Sequence, residues 1–126
     1  MENHISALIL GQPGPLREGL RTILQGVPLI GTVHQAEDLS SALEIIGERR
    51  PALVLLDGRS VRSGLPAVLT RLRDERIPSW CLVLADNIQQ KKEAESAGAH
   101  LVLLEGFPAG RLREIIKQLA ENVQQG

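Results

Sequence analysis

The chain contains no tyrosine, one tryptophan and one phenylalanine. With Trp80 and Phe107 alone, it lacks the stacking surfaces on which single-stranded nucleic acids and sugars are usually held. A single cysteine, Cys81, excludes an intrachain disulfide. It sits in an apolar run, which predicts a small buried core residue. No apolar stretch approaches the ~20 residues that cross a bilayer. The amino terminus, Met1-Glu-Asn-His-Ile5, has neither the basic nor the apolar region of a signal peptide. Charge of one sign is missing too. Lys and Arg total 14 against 15 acids, a formal charge of −1, so no electrostatic footprint for nucleic acid or an anionic membrane is present. Together these absences predict a cytoplasmic chain that contacts neither membrane nor nucleic acid.

Catalytic machinery is equally sparse. His4, His34 and His100 have no spacing that makes a metal site, and no Cys or acid cluster joins them. The loop Gly11-Gln-Pro-Gly-Pro15 matches neither a Walker A motif nor a dinucleotide fingerprint. With no nucleophile–base pair and no phosphate loop, an enzyme is not expected.

What is present is alternation. The 126 residues suit one domain, and 43% of them are hydrophobic, enough for one core. Ile5 to Leu10 reads as a strand. Leu16, Leu20, Ile23 and Leu24 then follow helical spacing, with Pro15 suited to the first turn and Gly26 and Pro28 to the stop. Leu29 to His34 is a weaker strand. Ser41-Ala-Leu-Glu44 fits a capping box for a second helix beginning there or slightly earlier, with Ala42, Leu43 and Ile46 facing inward. Ala52 to Leu56 is apolar throughout, as a central parallel strand covered on both faces should be. A loop, Gly58 to Gly64, leads to a helix opened by Pro66, with Leu69 and Leu72 inward. Trp80 to Ala85 is a fourth strand. A helix over Ile88 to Ala97 follows, and Gly98 is placed for a left-handed terminus. Ala99 to Leu104 is the fifth strand, and a last helix runs from near Pro108 to about Asn122. Successive βα units with short loops predict a single doubly wound α/β domain with a parallel five-stranded sheet and right-handed crossovers.

Asp57 is the first candidate for chemistry, because ligands in open α/β sheets bind at the carboxyl ends of strands. Its setting carries a resemblance. Leu16-Arg-Glu-Gly-Leu20, Arg50-Pro-Ala-Leu-Val-Leu-Leu-Asp57-Gly-Arg59, and Ala97-Gly-Ala99 before Leu101-Val-Leu-Leu104 stand in order and at fitting separations. In these segments the chain resembles the CheY-like receiver domain of two-component response regulators, nearest to the LuxR/NarL type. The resemblance spans nearly all of residues 1–126. It implies a flavodoxin/CheY-like sheet of order 2-1-3-4-5 and a phospho-acceptor at Asp57. It also implies a phosphorelay role, and DNA contact only through a helix-turn-helix domain following Gly126.

The same resemblance exposes a degenerate site. Where receivers carry an acidic pair that helps hold Mg²⁺, this chain has Gly11 and Gln12. Where they carry Thr or Ser after the fourth strand, it has Ala85, and in place of the Lys after the fifth strand it has Glu105. Mg²⁺ needs hard oxygen ligands, and phosphoryl transfer needs cations around its equatorial oxygens. The expectation is a pseudo-receiver with no cofactor, in which Asp57 is a strand-end carboxylate bonded to nearby backbone N–H groups. Arg59 is expected in solvent, though it could reach Asp57 or Glu105. Asp86 is expected to serve a turn or cap before the fourth helix, and Glu37 and Asp38 to serve a loop. The surface receivers use for partners offers Gln89-Gln-Lys91-Lys92, Phe107, Arg111, Arg113 and Lys117 as a docking or homodimer face. Two rivals stand. One is a working phospho-acceptor with Mg²⁺ on rearranged ligands such as Asp86 or Glu105. The other is a flavodoxin-like ligand-binding protein or enzyme.

Overall fold

In the computed structural model, residues 4–61, 64–76, 79–104 and 106–125 are described. Five strands, β1 (Ile5–Leu10), β2 (Ile30–Ala36), β3 (Leu53–Asp57), β4 (Trp80–Ala85) and β5 (Leu101–Leu104), form one parallel sheet in the order β2-β1-β3-β4-β5. The helices are α1 (Pro15–Gln25), α2 (Leu39–Arg49), α3 (Gly58–Val61), α4 (Leu65–Asp74), α5 (Ile88–Ser96) and α6 (Ala109–Gln125).

Side-chain alternation along the strands divides the core into two layers. Leu8, Leu10, Val54, Leu56, Cys81 and Val83 face α2, α4 and α5. Ala7, Ile9, Leu53, Leu55, Leu82 and Leu103 face α1 and α6. All five residues of β3 are buried, as expected for the strand with helices over both faces. Leu20 and Leu24 bury the inner stripe of α1, while Leu112, Ile116, Leu119 and Ala120 do the same for α6. Each such fully buried Leu contributes about 1.5–3 kcal/mol relative to exposure.

Several boundaries differ from the sequence-based expectation, each for a local reason. Strand β2 runs past His34 because Leu10 pairs with Ala36; the exposed Gln35 between them masks the strand pattern. Helix α2 starts at Leu39, and its cap is Asp38, whose Oδ1 accepts the Ser41 N–H at 2.8 Å. Ser41 therefore supplies the capped amide and not the cap. Asp38 is held below the ordinary carboxylate range by that bond. Helix α2 ends on Arg50 at φ 45°, a left-handed residue next to Pro51, whose ring disfavours a helical predecessor. The segment after Asp57 turns helical as α3 rather than remaining a loop. Gly98 is left-handed at φ 102°, as expected. The Ala99 N–H is committed to the Ala94 carbonyl, so the β5 ladder begins only at Leu101.

At the amino-terminal end of that ladder, His100 brackets Cys81. Its N–H donates to the Cys81 carbonyl and its Nδ1 accepts the Cys81 N–H, both at 3.0 Å. The imidazole stacks on Trp80 with ring centroids 4.8 Å apart.

Candidate functional site

Alternation along β3 sends Asp57 to the same side as Leu53 and Leu55, toward α1 and α6, at the carboxyl edge of the sheet. It is 8% exposed. Both carboxylate oxygens have donors from the same chain. Oδ1 accepts the Arg59 N–H at 3.1 Å and lies 3.8 Å from Arg59 Nε. Oδ2 accepts the Ser60 hydroxyl at 3.2 Å. Ser60 Oγ in turn accepts the Gln12 N–H at 2.9 Å. A relay thus joins the β1–α1 loop to Asp57 through α3. Arg59 remains about half exposed but pairs with the carboxylate, where the sequence had placed it in solvent.

The positions of the missing acids are now defined. Gly11 lies beside Asp57: a Cβ there would sit 3.4 Å from the Asp57 Cβ. The Gln12 side chain points elsewhere, its Nε2 donating to the Glu37 carbonyl at 2.9 Å. Ala85 is fully covered at the end of β4. Glu105 lies outside the described residues.

Asp86 does not cap α5. Asn87 does, its Oδ1 accepting the Gln90 N–H at 2.8 Å. Asp86 instead lines a cavity of about 180 Å³ shared with Asp57 and Arg59. The rest of that cavity is walled chiefly by Leu16, Leu84, Leu104, Phe107 and Leu112. Behind the site lies a residue the sequence did not single out. Gln90 is 8% exposed, although the run Gln89-Gln-Lys-Lys92 reads as one surface face. Its Nε2 donates to the Gly58 carbonyl at 2.9 Å and its Oε1 accepts the Asp86 N–H at 2.8 Å. The one available signal was its position three residues after Asn87, which turns it under the first turn of the helix.

The donor set does not fit the Mg²⁺ that the receiver resemblance implies. Gly11 offers no side-chain ligand, Gln12 is engaged by Glu37, and Asp57 is served by Arg59 and Ser60. Among the described residues no group of three His, Cys, Asp or Glu side chains converges. No helix among them is long and apolar enough to cross a membrane.

No family model matches the sequence. No curated protein matches it either. Solved structures do. The signal receiver domain assigned to a LuxO repressor protein of Vibrio parahaemolyticus superposes with a TM-score of 0.79 at 16% identity, covering 97% of this chain and 94% of that one. The signal receiver domain assigned to the response regulator NarL of Mycobacterium tuberculosis gives 0.79 at 24% identity, covering 94% and 98%. The chain has the receiver-domain fold. NtrX of Brucella abortus, solved with ADP, gives 0.78 at 25% identity and matches 97% of this chain but only 27% of its own length. The receiver fold thus occurs there within a much longer protein.

The face expected from the resemblance to meet partners is formed by α5, β5 and α6. Lys91 pairs with Glu95 at 3.1 Å, and the Arg111 guanidinium lies 5.7 Å from the centroid of the Phe107 ring. Lys92, Arg113 and Lys117 are exposed. Ile88, 59% exposed, and Leu104, 36% exposed, add apolar surface to the same side.

Proposed function

We propose that this chain is a signal-transduction module in which the receiver fold is kept and efficient phosphorylation is not. The observation that carries this is the satisfaction of Asp57. Arg59 and Ser60 already serve both of its oxygens, and Ser60 ties it to the Gln12 amide. A phosphoryl group would have to displace these bonds without an acidic pair to hold a metal. The carboxylate then works as a structural link between β3 and the β1–α1 loop. Output passes through protein contact or pairing of two copies over α5, β5 and α6, in a cytoplasmic regulator whose DNA binding, if any, belongs to another domain. No catalytic activity is assigned.

One observation favours a second reading. Asp86 shares a cavity with Asp57 and could stand in as a metal ligand for a working phospho-acceptor. Incubation with Mg²⁺ and acetyl phosphate, followed by intact mass measurement, separates the two. An unchanged mass is expected. A gain of one phosphoryl group that disappears in Asp57→Asn overturns the proposal.

A further inference from the structure

The cavity beside Asp57 is chemically uneven. Its wall is leucine and phenylalanine, yet Leu104 at its edge keeps 36% of its surface in water. Among the described residues its charged groups are two carboxylates and one guanidinium. Arg59 is drawn toward Asp57. The Asp86 carboxylate makes no ion pair and accepts no hydrogen bond among the described residues; only its backbone N–H is engaged, by Gln90. An apolar hollow with one uncompensated anion at its rim repels phosphate and other anions. It complements a molecule with a greasy body and a single positive charge. At about 180 Å³ it lies below the range of roughly 300–1,000 Å³ typical of drug-sized sites, which limits the occupant to a small molecule.

We propose that this cavity binds a small organic amine carrying an aromatic or branched aliphatic body. The ammonium sits against Asp86, and the body covers Leu84, Leu104 and Phe107. This deepens the proposed function and rests on its reading of Asp57 as a structural carboxylate, because a phosphoryl group on Asp57 would enter the same cavity. Binding would bring a signal to the edge of β5 and the start of α6, next to the surface proposed for partners.

Titration of the ¹⁵N-labelled chain with phenethylamine, and separately with 3-phenylpropanoate as the anionic counterpart, tests this by amide shifts. Saturable shifts at Leu84, Asp86, Leu104 and Phe107 are expected with the amine and not with the acid. Asp86→Asn should weaken amine binding about fivefold, the worth of one solvent-accessible charge pair. Leu104→Trp, at an already exposed position, should fill the mouth and abolish binding while the rest of the spectrum stays in place. No saturable shift with the amine, equal affinity for acid and amine, or undiminished binding by Asp86→Asn each overturns the inference. The phosphodonor experiment reads the other proposal separately. Failure of the amine to bind a chain that also resists phosphorylation removes this inference and leaves that one standing.

Discussion

Gln90 donates its side-chain amide to the carbonyl of Gly58, the residue that follows Asp57, across 2.9 Å. Its oxygen accepts the Asp86 N–H. One buried side chain from the first turn of α5 therefore holds the exits of β3 and β4 at a set separation. The contact is close enough that a Cβ at Gly58 would come within 2.7 Å of the Leu84 carbonyl oxygen, so glycine is needed there for space and not for a special backbone angle.

Gln90→Leu keeps the volume and removes both bonds. Two backbone groups then lose their partners, and each unsatisfied buried group costs about 1–3 kcal/mol. Urea unfolding should show a loss of that order, with an unchanged slope. A loss under about 0.5 kcal/mol, the range of ordinary surface substitutions, would mean that water replaces the amide and that Gln90 is not a structural tie.

Cys81 should be chemically silent in the folded chain. Burial pushes its thiol up to about 12, and the thiolate is the reactive form. Iodoacetamide at pH 8 should alkylate it in urea and leave it untouched in buffer, as intact mass will show. Rapid modification of the native chain would mean that the β4–β5 end opens readily.

His100 introduces a pH dependence at that same end. Its Nδ1 must be unprotonated to accept the Cys81 N–H, and burial lowers its pKa from the ordinary 6.5. The unfolded chain therefore takes up the proton first. Stability contributed by His100 is complete above about pH 6.5, falls as pH drops below that value, and levels off below the folded pKa. The ring is largely exposed, so the effect is small. Thermal melts between pH 7.5 and 5 should slope less in His100→Asn than in the parent. Equal slopes would exclude the bracket as a titrating element.

The strands were legible because β3 and β4 are apolar runs bounded by Pro51, Asp57 and Ala85, and a buried parallel strand has no other signature. The helices of α1 and α6 were legible from their stripes. Their order in the sheet came through the likeness of three short segments to receivers, since periodicity does not rank neighbours. What escaped were contacts made by polar residues with no pattern. Asp38 and Asn87 cap helices where Ser41 and Asp86 look equally suitable, because capping depends on which residue leaves the helical conformation. Ser60 and Gln90 act at the site through tertiary contacts 48 and 32 residues away in the chain, with Gln12 and Gly58 respectively. Asp57 itself was found by position, and its bonding to a nearby backbone N–H was anticipated. The guanidinium contact from Arg59 carries no such signal, because an arginine just past a strand end suits solvent equally well.

Gly11→Asp offers the most direct check on why the site resembles a receiver and lacks its metal ligands. Position 11 tolerates a side chain: its φ is not left-handed, and an added Cβ would stand 3.4 Å from the Asp57 Cβ and 3.8 Å from Oδ2, ordinary contact distances. The new carboxylate would face Asp57 at close range. Without a cation, the like charges repel and the variant should melt below the parent in EDTA. With Mg²⁺, two carboxylates and retained waters meet the needs of a small hard cation, and binding to the folded state alone adds stability by mass action, about 2.7 kcal/mol at a hundredfold excess over Kd. The melting temperature of Gly11→Asp should therefore climb with Mg²⁺ while that of the parent stays level. If the parent climbs equally, a divalent site already exists around Asp57 and the glycine is not what disables it. If neither responds, the bonds from Arg59 and Ser60 hold Asp57 too firmly for a second carboxylate to recruit a metal.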